Sequence, residues 1–251
     1  MNEREQWLDP PEQLALEPGD LHIWRVWLDQ QPAVYLAQLR EILSLDERAR
    51  ADRFHFPIHR ERYTVARGTL RILLGRYLHC PPESIAFSYG PQGKPALTAM
   101  STPEPLEFNV AHSGQVALLG FIWGRPVGVD VEHIRPLKDI AQMAARFFSA
   151  EEYQVWQSVA AEEQDAAFFN CWTRKEAYIK VIGEGLSHPL DRFVVTLRPG
   201  EPGRLLTVDG SAAPAQKWQM QALHPTPGYA AAVTVEGGWN RLRCWYFKIG
   251  A

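Results

Sequence analysis

Cysteine is scarce: Cys80, Cys171 and Cys244 stand far apart in 251 residues and share no paired spacing. That spacing excludes a disulfide framework and a cysteine-rich zinc cluster, and it leads us to expect reduced thiols in a cytoplasmic protein. Long hydrophobic runs are missing as well. The longest, Val116 to Trp123, is far too short to span a bilayer. The opening segment, MNEREQWLDPPEQLALEPGD, is acidic and broken by prolines, so neither export nor membrane insertion is expected. Charge of one sign is absent too: 26 Lys and Arg against 29 Asp and Glu give a net charge of -3. No global field then draws the chain to nucleic acid or a membrane, and any basic site must be local. What is present is a globular composition, 46% hydrophobic, able to bury one large core or two smaller ones.

Hydrophobic periodicity divides the chain into two similar halves. Leu21 to Leu28 is predicted as a strand. Arg60 to Leu78 is predicted as a helix, with Tyr63, Ala66, Leu70, Leu73, Leu74, Tyr77 and Leu78 on one face. A turn-rich stretch from Pro81 to Pro105 precedes strands at Val116 to Trp123 and Val127 to Val131, which are separated by Gly124 and Pro126. The second half repeats the order. Helices are expected near Ile140 to Phe148 and Asp165 to Ile182, then strands at Phe193 to Leu197, Trp218 to Leu223, Ala230 to Val235 and Leu242 to Phe247. The expected fold is α+β, with two related lobes (1-124 and 125-251) and a ligand cleft between them.

Four groups of residues carry chemistry. In Val127-Gly128-Val129-Asp130-Val131-Glu132 the valines face one way and the carboxylates the other, roughly 6–7 Å apart along a strand, so the acids could converge on a hard divalent cation. Taken alone, such acids also suit a solvated strand face. Glu176 and Lys180 share one face of the second helix, whose Phe168, Trp172, Ile179 and Ile182 can hold the opposite face in the core before the stop at Gly183 and Gly185. Taken alone, that spacing also describes a surface ion pair. Phe108 to Gly114 reads as a polar turn carrying His112. Finally, Arg48 to Arg76 holds eight arginines against Asp52 and Glu61, and Gly93-Lys94-Pro95 adds a lysine on a tight turn; arginine forks suit phosphates.

The order GKP, FNxxHS, GVDVE, WTRKEAYIK and GxGL, with Arg146 to Ser149 and Pro189 to Asp191, resembles the 4'-phosphopantetheinyl transferase superfamily in its larger, two-lobed, Sfp-type form, over roughly residues 44 to 197. The resemblance implies two lobes related by a pseudo-two-fold axis, with the active site in the cleft. It further implies transfer of the phosphopantetheine arm of coenzyme A to a serine of an apo acyl or peptidyl carrier protein, by a monomer that needs neither nucleic acid nor membrane. Asp130, Glu132 and Glu176 match the acids that hold Mg2+, with Mn2+ as the alternative ion. Glu176 matches the position expected to take the serine proton, and Lys180 the lysine beside the diphosphate. His112 matches the contact to the 3'-phosphate, with Ser113, Lys94, Pro95 and Arg50 also on the coenzyme side. Where many members carry Ser before the histidine, this chain has Ala111. The carrier would dock near Ile134 to Phe148, through Arg135, Lys138, Met143 and Arg146. Two other classes remain: a noncatalytic coenzyme A or nucleotide-binding protein of the same fold, and a magnesium-dependent phosphohydrolase.

Overall fold

The structure is a computed structural model that describes residues 5–90, 93–98, 104–183, 185 and 188–248. Leu186 of the expected glycine-rich stop lies outside the described residues.

Two sheets pack face to face, and each carries helices on its outer side. The larger sheet has the order β1 (Trp7–Leu8), β12 (Arg241–Tyr246), β2 (Asp20–Trp27), β6 (Val116–Trp123), β5 (Leu106–Ser113). Its outer face packs Trp24, Val26, Leu119 and Phe121 against α1 (Ala33–Ile42) and α3 (Pro57–Leu78). The smaller sheet, β10 (Trp218–Leu223), β11 (Tyr229–Glu236) and β7 (Val127–His133), is antiparallel. Its outer face meets α6 (Gln164–Ile182), around which α4 (Ile140–Phe147) and α5 (Ala150–Gln157) build a second helical core. A third core fills the space between the sheets, with Leu21, Ile23, Leu118, Val127, Val129, Val131, Val233 and Val235. The result is a four-layered α+β architecture. The C-terminal strand β12 lies parallel to β2, so residues 241–246 complete the sheet begun by the first half.

Each half also contains the same local device. Ser44 caps α2 (Leu45–Asp52) in a capping box with Glu47, and Ser149 caps α5 in one with Glu152. Both glutamates are buried and reach the following long helix. Glu47 holds Arg67 and Arg71 of α3 at 2.6 Å each, and Glu152 holds Lys175 of α6 at 2.7 Å. Three of the eight arginines between Arg48 and Arg76 are held by acids of the protein: Arg67 and Arg71 by Glu47, and Arg62 by Asp29 through two bonds of 2.6 and 2.7 Å.

Two expectations are corrected. Phe108 to Ser113 is strand, not turn; the turn itself is Gly114, at φ +55°, and Gln115. The buried Asn109 on it is satisfied across the sheets, accepting the Val129 amide at 2.9 Å through its side-chain oxygen. The turn-rich stretch holds a hairpin of β3 (Phe87–Tyr89) and β4 (Pro95–Leu97), reversed at Gly93 with φ +75°. No helix among the described residues is long and apolar enough to cross a membrane.

Candidate active site

Strand alternation puts Gly128, Asp130 and Glu132 of β7 on the side away from the inter-sheet core, facing α6. The helix can approach because residue 128 is glycine: a Cβ there would stand 2.1 Å from the Ala177 carbonyl oxygen and 2.9 Å from the Val181 amide. On β11 the register partners of Glu132 and Asp130 are Ala230 and Ala232, small residues that leave room on this face. The close contact carries Glu176 and Lys180 to the acids of β7. Lys180 donates to Asp130 Oδ1 at 2.6 Å and to the Val129 carbonyl at 3.1 Å. Lys180 is thus engaged between elements, where the spacing alone also allowed an i, i+4 surface pair with Glu176.

Two carboxylate oxygens in this group are buried without a hydrogen-bond partner, Asp130 Oδ2 and Glu176 Oε1. Desolvation lifts the Asp130 carboxyl to about 6 against the pull of Lys180, and lifts Glu176 to about 7, with the charges of Asp130 and Glu132 adding to the rise. Glu132 is held differently, accepting from the Ser113 hydroxyl at 2.6 Å with Arg135 at 3.7 Å. Among the described residues no three His, Cys, Asp or Glu side chains form a ready-made metal-ligating cluster. The donor set still suits a hard cation, because carboxylate oxygens left bare in a desolvated pocket are the groups such an ion satisfies.

Basic side chains are supplied by the larger sheet and the β3–β4 hairpin. His112 lies next to the β5–β6 turn; desolvation by its surroundings lowers its pKa first, and the charges of Lys180 and Arg62 lower it further. His59 acts on it in the same direction. Lys94 donates to the Lys180 carbonyl at 2.6 Å, tying the β3–β4 hairpin to the C-terminal turn of α6, and burial lowers its pKa. Pro95 sits in β4, paired with Tyr89. Ser113 faces Glu132 rather than open cleft, and also accepts the His133 amide at 3.2 Å. Arg50 is exposed, with its guanidinium 5.6 Å from the Tyr63 ring centroid.

Sequence reasoning missed the part played by His59 and left Arg62 as one of several arginines. Their i, i+3 spacing at the start of a helix was the available signal. It missed Asp29 and Tyr229 entirely, because these lie in no motif. Of the residues expected near the carrier, Phe148 is core and stacks on Phe168, whereas Arg146 lies over the Phe147 ring.

Residues 126–234 match the 4'-phosphopantetheinyl transferase superfamily, and residues 27–121 match the family described as 4'-phosphopantetheinyl transferase, N-terminal. The chain is 40% identical over 242 residues to the 4'-phosphopantetheinyl transferase HetI of Nostoc sp., covering 96% of this chain and 98% of that protein. It is 36% identical to the 4'-phosphopantetheinyl transferase psf-1 of Bacillus pumilus, with 82% and 84% covered. It is 30% identical to the 4'-phosphopantetheinyl transferase Sfp of Bacillus subtilis strain 168, with 76% and 81% covered.

Proposed function

The chain belongs to the 4'-phosphopantetheinyl transferase superfamily, and from that premise we propose how its cleft moves phosphopantetheine from coenzyme A to a serine of an apo carrier protein. The observation that carries this reading is the pair of bare, buried carboxylate oxygens on Asp130 and Glu176, with Lys180 bonded to Asp130 beside them.

Asp130, Glu132 and Glu176 would hold Mg2+, or Mn2+ in its place. When bound, the ion neutralises charge on the diphosphate and lowers the barrier to attack at phosphorus. The protein's own residues do the rest. His112 grips the 3'-phosphate, with Lys94 and the β3–β4 turn at Pro95 on the same side, while Ser113 keeps Glu132 in place. Arg50 contributes on the outer, solvent side. Glu176, on a helix clamped directly to β7, takes the proton from the carrier serine hydroxyl, either directly or through one water. The serine oxygen forms the new bond to phosphorus as the bond to 3',5'-ADP breaks, and Lys180 stabilises the charge on the departing group. The acids come from β7 and α6 and the coenzyme-side residues from β5 and the β3–β4 hairpin, which supports a cleft between two lobes, 1-124 and 125-251 with β12 returned to the first, and a monomer that suffices for activity. The working compartment is the cytoplasm.

The test is the intact mass of a purified apo carrier after incubation with the protein, coenzyme A and Mg2+, beside Glu176→Ala and a chelator control. A gain of one phosphopantetheine, abolished by both controls, is expected. Binding of coenzyme A with no gain on several unrelated carriers would favour the noncatalytic reading. Free phosphopantetheine without carrier modification would favour the phosphohydrolase.

A further inference from the structure

Tyr229 opens β11 and pairs in register with His133, their ring centroids 5.0 Å apart. Its hydroxyl accepts the Gln115 amide at 3.1 Å and fills the space beside Gly114, where a Cβ would come within 2.7 Å of it. It therefore props the β5–β6 turn from the opposite sheet. The same turn is tied on its other side, because the Gln115 carbonyl accepts the Leu28 amide at 2.8 Å, and the next residue, Asp29, grips Arg62 with two bonds. One residue before the turn, Ser113 is fixed by Glu132 and the His133 amide.

His112 precedes these ties, and no hydrogen bond to its ring forms among the described residues, so the tied turn fixes the backbone from which the ring projects. We propose that Tyr229 is a positioning residue whose hydroxyl locks the β5–β6 turn, and so sets His112 as the grip on a phosphate monoester, the 3'-phosphate of coenzyme A. This rests on the reading of His112 given above. A small displacement of such a grip weakens recognition of the phosphate and leaves the reacting diphosphate far less affected.

The test compares kcat/KM for coenzyme A and for 3'-dephospho-coenzyme A on one apo carrier, in the unmodified protein, Tyr229→Phe and His112→Ala. Tyr229→Phe keeps the ring on His133 and removes a single hydroxyl. It is expected to cut the preference for coenzyme A over the 3'-dephospho form about tenfold, through a higher KM for coenzyme A. His112→Ala is expected to cut it at least as far. Equal losses on both substrates, or no loss, in Tyr229→Phe beside a discriminating His112→Ala would overturn the role of Tyr229 and leave that of His112 standing. A His112→Ala that keeps the full preference would overturn both.

Discussion

At the residue scale the site combines groups that a folded protein ordinarily avoids. Asp130 and Glu176 each bury an unpartnered oxygen, and desolvation holds both carboxyls well above their usual range. Such groups lower the stability of the free protein and serve the ligand. An acid whose folded pKa is raised costs stability above that pKa, so without metal the Glu176 carboxylate is most destabilising above about pH 7. Glu176→Gln keeps the shape and removes the charge. We expect it to reduce kcat by roughly 10²- to 10⁴-fold. Urea unfolding at pH 8 in chelator should show the same variant more stable by about 1 kcal/mol. A variant both inactive and less stable would mean that Glu176 is a structural residue.

At the element scale, what matters is how closely α6 sits on β7. A methyl group at residue 128 has no room against the Ala177 carbonyl, which belongs to helix backbone and cannot rotate away. Gly128→Ala should therefore lift the helix, with a loss of about 2–4 kcal/mol in urea unfolding and of most turnover. Behind the helix, Lys175 donates to the Leu190 and Phe193 carbonyls and meets Glu152, with both side chains only 1% exposed. Lys175→Met strands the Glu152 carboxylate in the core, and a cost of about 3–5 kcal/mol is expected by the same measurement. Much of this was legible in sequence. The Val127 to Glu132 alternation gave the core face and the acid face of β7, and Gly183, a left-handed cap at φ +77°, gave the end of α6. Other elements escaped for physical reasons. Helix α2 buries only Glu47 and Ala51, so it has no apolar stripe to read, and only the Ser44 and Glu47 capping box announced it. Strand β5 read as a turn because Asn109 and His112 are polar, yet Asn109 is satisfied by a strand distant in sequence. The partner of Lys180 was hidden similarly, since Glu176 is near in the chain and Asp130 is near only in space.

At the scale of the whole molecule, the last strand must return to the first sheet, and His22 sits at that joint. Buried on β2, it meets the Tyr77 hydroxyl of α3 at 2.8 Å through Nδ1 and the Trp245 ring of β12 edge-on at 5.9 Å, while Arg243 of β12 is its register partner. Tyr77 is also bonded by Trp24, and burial raises its pKa, so it stays neutral. No acid among these neighbours compensates a proton on the ring: burial, then the Arg243 charge, lowers the His22 pKa to about 4. The unfolded chain takes up a proton near pH 6.5 and the folded one only near 4, so this contribution is fully present above 6.5 and is lost as the pH falls between the two values. The difference amounts to roughly 3 kcal/mol. Urea unfolding from pH 7.5 to 4 should show that decline in the unmodified protein. His22→Gln, less stable at pH 7.5 because its fit to Tyr77 and Trp245 is poorer, should show a flatter profile. Because carboxylates elsewhere titrate in both proteins, the difference between the two curves isolates the joint. Parallel curves would mean that His22 is not the group through which acid separates β12 from the first sheet.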